Sequence, residues 1–301
     1  MSIIKPVALT DAMLVSSTAP ETDYTAWAAG TSYTVGTKVM RAVSGVHKNF
    51  ENLIAGVDAT LPENAPTRWL DLGATNRWAM FDTKIGTVTT LASPLTVVIK
   101  PGSVSGIALL ELAGKEVTLS VKNATGGTVV YSKTIGLDAT PVTSFYGWFF
   151  EERIQLTDIT LTDLPSQFLQ CELTINVTST AGAVGCGVCH VGTTHDIGET
   201  QVGATVGIIS YSTKTTDVFG NTTVIKRANS KRNSLKLVTK KADFGQIYRL
   251  LSSLDSVPCI YIATEKSGYE PLIVYGFWKD FSIDVAYNTH HLTSLEIEGL
   301  V

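Results

Sequence analysis

Between Thr83 and Gly198 short apolar runs alternate with polar residues: LTVVIK, GIALLEL, EVTLSVKN, GTVVYSKTI, RIQLTDITL and CELTINVT. An apolar-polar period of two marks a strand with one buried face. Gly or polar turns bound each run, and NATGG between VTLSV and TVVYS reads as a hairpin turn. Repeated short strands without a helical period predict an antiparallel β-sandwich, jelly-roll-like, over residues 81–200. Trp148-Phe149-Phe150 reads as part of a strand there, so neighbouring rings would face opposite sides.

The flanks break this pattern. Residues 1–22 mix short apolar pieces with the turn-prone SSTAPET and predict an extended N-terminal arm. From Tyr24 to Gly73 small strands (YTAW, SYTVGTKVMRA, HKNFENL, RWLDLG) are separated by Gly and Pro, which predicts a small aromatic β module over 23–80. After GETQVGATVG two strands join around Phe219-Gly220-Asn221. A single helical period follows, with Phe244, Ile247, Leu250, Leu251 and Leu254 on one face and Asp243 placed as N-cap. PCIYIAT and LIVYGFW then read as strands, so 201–301 is an expected α+β domain whose helix covers one sheet face. The other face would carry apolar residues such as Tyr275, Phe277, Phe281 or Tyr287. The chain as a whole reads as mainly β.

Composition changes the picture in one respect. Of the 301 residues 44% are hydrophobic and only 17% charged, which suits two or three domains whose surface is partly covered by neighbours, as in a homo-oligomer. The net charge of −4 argues against nucleic acid as a partner. The basic cluster Lys226-Arg227…Lys231-Arg232 reads as a solvated turn or an inter-subunit contact. No apolar run reaches the roughly 18–20 residues of a membrane span, and MSIIKPVALTDAML lacks a signal-peptide layout. The four Cys are therefore expected as thiols, and the N-x-T sites at Asn123, Asn176 and Asn221 carry no glycosylation meaning.

Candidate chemistry is sparse. Cys186-Gly187-Val188-Cys189-His190 has the letters of a haem-attachment run, and with His195 it supplies four metal-ligand types. Read as a strand, it sends Cys189 and His190 to opposite faces, so the thiols are expected as packed hydrophobes. Glu296 and Glu298 share a strand face about 7 Å apart, within the spacing range of glycosidase pairs, but nothing signals a cleft. Glu151-Glu152 diverge, and His290-His291 has no partner at a readable spacing. No nucleophile elbow, phosphate loop or dinucleotide fingerprint is present. No catalytic residue, cofactor or metal is expected, and the protein is not expected to be an enzyme.

Two resemblances supply what the motifs do not. Ala26-Trp27, Tyr33, Gly36, Val39, Phe50, Pro62, Pro66, Trp69 and Gly73, about a sixth of the chain, are similar to the small chitin-binding module of bacterial chitinases. That resemblance implies a short twisted sheet whose aromatics stack on sugar rings, with Tyr33, Phe50 and Trp69 as the glycan contacts. The chain departs from it at Leu53-Ile54, where the family carries paired aromatics. Core packing is the commoner use of such rings, and for Trp27, Tyr33 and Trp69 both uses stand open. NRWAMFD (Asn76–Asp82) and the C-terminal LIVYGFWKDFSIDVAYNTHHLTSLEIEGL resemble tail proteins of tailed bacteriophages. This resemblance implies a virion structural protein of the tail tip or baseplate, assembled in the bacterial cytoplasm. Its expected partners are other tail or baseplate proteins and its own copies, in a ring or trimer. Host surface polysaccharide is a further contact it allows. The alternatives are a carbohydrate-binding adhesin or the binding part of a glycan-degrading enzyme.

Overall fold

The computed structural model describes residues 1–43, 45–140, 144–150, 152–180, 182–266, 268–285 and 287–300, with Trp148 by its backbone only. It is mainly β, 48% strand against 10% helix, and almost every ladder is antiparallel. The chain forms two compact units, Met1–Pro6 with Gly192–Val301 and Val7–Val191. Among the described residues no helix is long and apolar enough to cross a membrane.

The first unit begins with a departure from the expected N-terminal arm. Ser2–Pro6 is a strand, paired on one side with 192–196 (Ser2 opposite Asp196, Pro6 opposite Gly192) and on the other with Cys259–Ile262. Alternation explains why it is buried: Ile3 points to one face and Ile4 to the other, and neither is exposed. The compact unit that holds this strand takes up the chain again at Gly192. From Cys259–Ile262 the sheet continues through Ile273–Asp284, His290–Gly299 and Asn229–Lys240, with Glu199–Thr200 and Thr205–Ser210 along its outer edge.

Helix Phe244–Ser253 lies on one face. Ile247, Leu251 and the following Leu254 pack on Ile3, Leu235, Leu237, Tyr261, Leu295 and Ile297. Asp243 does not cap it. The preceding 3-10 turn Lys241–Asp243 already gives Asp243 a helical backbone, so its side chain makes no capping bond. A bulge between Trp278 and Asp280 sets Trp278 opposite Ile297 and Phe281 opposite Leu295, so both rings reach the helix-side core. The Trp278 indole N–H donates to the Leu251 carbonyl at 3.1 Å. Phe281 is thus not on the outer face, and Tyr275 is buried; of the four residues expected there, Phe277 is half-buried and Tyr287 exposed.

In the second unit the strands Val129–Gly136, Glu116–Lys122, Glu172–Thr178, Leu95–Ile99 and Leu14–Ser17 form one five-stranded antiparallel sheet in that order. Its buried face (Val97, Val117, Leu119, Leu173, Ile175, Val177) shares a core with Ile107 and Leu109 of Gly106–Leu110 and with Ile159 and Leu161 of Ile159–Leu161. This is a sandwich whose second layer consists of shorter ladders. NATGG is the expected hairpin turn, closed by Asn123 N–H donating to Thr128 O at 3.1 Å. The aromatic module lies in the same unit as a four-stranded sheet of Thr25–Ala26, Lys38–Arg41, Lys48–Asn52 and Trp69–Ala74. Trp78, Met80 and Phe81, just past it, insert into the sandwich core.

The segment expected as a strand at Trp148-Phe149-Phe150 is instead helix Phe145–Phe150. Phe145, Tyr146, Phe149 and Phe150 stand at i, i+1, i+4 and i+5, within an arc of about 140° on a helix. The i, i+4 pair Tyr146 and Phe150 meets at 4.8 Å between ring centres.

The buried N-terminal strand carries a test. Ile3→Ala should lower stability by about 2–5 kcal/mol, the cost of emptying a core aliphatic site, in a denaturant titration followed by circular dichroism. An N-terminal segment that were only a loose arm would tolerate the change within about 0.5 kcal/mol.

Candidate functional site

The aromatics that the sugar-stacking resemblance singles out form the module's own core. Tyr33 is 8% exposed and Phe50 and Trp69 are 2% exposed, packed with Val39. The Tyr33 ring meets Trp69 edge-on at 5.2 Å, and its hydroxyl accepts from Ala28 N–H at 2.9 Å and donates to Ala28 O at 3.2 Å. No ring face there is open to a ligand, which overturns Tyr33, Phe50 and Trp69 as glycan contacts. The physical reason is size: a sheet of such short strands has few other large side chains with which to fill a core. Trp27 is half-buried and the Arg41 guanidinium covers its ring at 5.1 Å, held in turn by Glu63 at 2.7 Å. Leu53 and Ile54 are exposed.

The module joins the sandwich through a polar cluster. His47 Nδ1 lies 2.6 Å from Glu21 and Nε2 lies 2.8 Å from Asp11, the latter off the line of the N–H bond. Glu21 also accepts from Thr75 Oγ1 at 2.9 Å and pairs with Arg77 at 3.4 Å, while the His47 ring meets Trp78 at a tilt, 5.0 Å between centres.

Cys186 ends strand Ala183–Cys186, and Cys189 and His190 lie in Val188–Asp196; all three are buried. Burial, and then the Glu111 carboxylate, pushes the Cys186 thiol up to about 12, and burial raises Cys189 as well. His195 belongs to the other unit, where burial and Lys5 lower its pKa. Among the described residues no three His, Cys, Asp or Glu side chains are grouped to hold a metal. Glu296 is tied to Arg232 in a close ion pair. Glu298 accepts from the Tyr211 hydroxyl at 3.0 Å and sits 3.6 Å from Lys279. Each carboxylate is engaged by its own partner. Glu298 lines an open groove of about 350 Å³ with Tyr211, Phe277 and Lys279, and Glu296 is not part of it.

What the geometry offers instead is surface. Residues 205–234 form a long hairpin: Thr205–Ser210 pairs with 229–234, and Thr213–Thr216 pairs with Thr222–Ile225 further out. Every residue of the outer ladder is exposed on both of its faces. At the tip Asp217 Oδ1 accepts from Phe219 N–H at 2.9 Å and Asn221 N–H at 2.8 Å, and the Asn221 amide donates to Oδ2 at 2.9 Å. These bonds, led by the Asn221 side chain, hold the carboxyl below its usual range. The ordered turn presents Val218 and Phe219 at 94% and 86% exposure. A second projection is the aromatic helix 145–150, on a stem closed by Ala139 N–H to Ile154 O at 2.9 Å and Arg153 to Asp138 at 2.9 Å. Its four rings face solvent while Gly147 is buried on the opposite side. The sequence shows the hairpin's two strands and its turn; it does not show that the outer ladder and the tip stay exposed.

No family model matches this chain, and no curated protein matches it at a significant level.

The thiols give a pH test. A group whose pKa is raised by folding stabilises fully below its unfolded value and loses that contribution as pH climbs to the folded one. Cys186 thus favours the fold below about pH 9 and loses this as pH rises towards about 12. Iodoacetamide at pH 8 should modify no thiol in the native protein and all four after denaturation; rapid labelling of Cys186 or Cys189 in the folded state would contradict their burial.

Proposed function

We propose that this chain is a virion structural protein of a phage tail tip or baseplate, without catalysis of its own, working as a ring or trimer bound to other tail proteins. The hairpin 205–234 is the observation that supports the assembly part of this reading. A two-stranded hairpin alone is marginal in water, and three strands or a packed face are normally needed. This one has neither along its outer ladder, and it raises Phe219 into solvent. Its charge points to the partner. Lys214, Lys226, Arg227, Lys231 and Arg232 against Asp217 give it +4, so a chain of −4 carries −8 elsewhere. A second copy therefore attracts the hairpin, whereas nucleic acid would be repelled by most of the molecule. The phage-tail assignment itself rests on the resemblance of Asn76–Asp82 and the C-terminal run.

Light scattering should find an oligomer that dissociates when residues 212–226 are replaced by a two-residue turn. Raising salt from about 0.1 M to about 0.5 M should weaken it, because the charges involved are exposed. A species that is monomeric at every concentration would sink the reading.

Host-glycan contact is favoured by a different observation, the four open rings of Phe145, Tyr146, Phe149 and Phe150. Sugar C–H faces stack on such rings, and Glu152 beside them can hydrogen-bond hydroxyls. This moves the contact from the module to the helix. Retention of the assembly on immobilised host surface polysaccharide should fall at least about tenfold when all four are changed to Ala. Unchanged retention, or none in the wild type, would remove glycan contact from the function.

A further inference from the structure

The C-terminal unit contains a groove that its own hairpin leaves empty. It has a volume of about 610 Å³ and is lined chiefly by Val202, Ala204, Val206, Tyr269, Pro271 and Leu272. That is within the about 300–1,000 Å³ usual for pockets that take a ligand or an anchoring side chain. Val206 belongs to the root of the hairpin and Phe219 to its tip. Thirteen residues separate them, about 40 Å of extended chain at roughly 3.3 Å per residue. The near-complete exposure of Val218 and Phe219 agrees: neither side chain is buried by its own chain.

We propose that the groove of one copy receives the hairpin tip of the next, with Phe219 as the anchor and Val218 beside it. This rests on the assembly reading above and names its contact. The match is one of shape, polarity and charge. An apolar groove lacks a filler, and an apolar aromatic knob lacks a hole, on the same unit. Among the described residues Lys266 is the one charged side chain lining the groove, so the electrostatic attraction is that of the hairpin's +4 for the −8 carried by the rest of a second copy. A knob and hole at different places on one surface make a heterologous contact, the kind that closes into a ring when the rotation allows. A buried aromatic in a pocket, ringed by weaker polar contacts, is also how interfaces concentrate their affinity.

The protein's four Cys are all buried, so introduced thiols report cleanly. The double variant Phe219→Cys/Val202→Cys should give a ladder of covalent oligomers under mild oxidation, and neither single variant should. Phe219→Asp, at a position whose side chain is 86% exposed, should keep the native circular dichroism and melting temperature. Its self-association should weaken by about thirtyfold or more, the loss expected of an anchoring residue. An oligomer of native size that neither cross-links nor responds to Phe219→Asp would overturn this contact and leave the assembly reading standing. Cross-linking by Phe219→Cys alone would mean tip-to-tip pairing and would also overturn it. A chain that never self-associates would remove both.

Discussion

The C-terminal unit depends on five residues from the far end of the chain. Ser2–Pro6 completes ladders to 192–196 and to Cys259–Ile262. Without it two strands would face each other across a gap, with buried backbone groups unpaired. Ile3 supplies the helix-side core and Ile4 the opposite face. The close approach also constrains the partner: a Cβ at Gly192 would collide with the Lys5 carbonyl, so only glycine fits there. Main-chain pairing, apolar burial and one glycine thus converge on the same short segment. The N-terminal ammonium adds a bond to Gly198 O and lies 3.6 Å from Asp196.

That closure supplies a firm root for the hairpin. Asn229–Lys240 belongs to both: residues 232–240 pair with His290–Gly299 inside the sheet, while 229–234 pair outward with Thr205–Ser210. Leu235 and Leu237 lock its inner half under helix Phe244–Ser253. The hairpin is therefore a cantilever, fixed at one end by core packing and held beyond it by little more than its own ladder. A pre-ordered root lowers the entropy that a partner must overcome when it binds the outer half. The ordered turn at Asp217 would do the same for Phe219 in the proposed contact, since it already presents the ring.

Local alternation was legible in the sequence wherever both strand partners are near in the chain. EVTLSVK buries Val117, Leu119 and Val121 as its pattern says. The helical period at Phe244 to Leu254 likewise gave the one substantial helix and its buried face, although not its start. Ser2–Pro6 was opaque because its partners lie about 190 and 260 residues away, and five residues carry too short a pattern to reveal them. Phe145–Phe150 misled because aromatics favour strands in general, while here an i, i+4 ring contact and a buried Gly147 make a helical turn. For Tyr33, Phe50 and Trp69 the residue types were the right ones for two uses. Only three-dimensional burial, which sequence spacing does not encode, separates a core ring from a stacking ring.

The low charge content follows from the same distribution. A chain with 17% charged residues has little to spare for keeping apolar side chains covered. The aromatic module turns its large rings inward and leaves aliphatics such as Leu53, Ile54, Leu70 and Leu72 outside. Helix 145–150 does the reverse with four aromatics, and the hairpin tip does so with Val218 and Phe219. Single exposed apolar residues need no explanation, but rings gathered on one side of a stemmed helix and on one ordered turn do. Fold stability does not account for them, because neither set packs into a core. Such positions lower solubility while they stand open to water, and covering by partners is what the proposed assembly would supply at both projections.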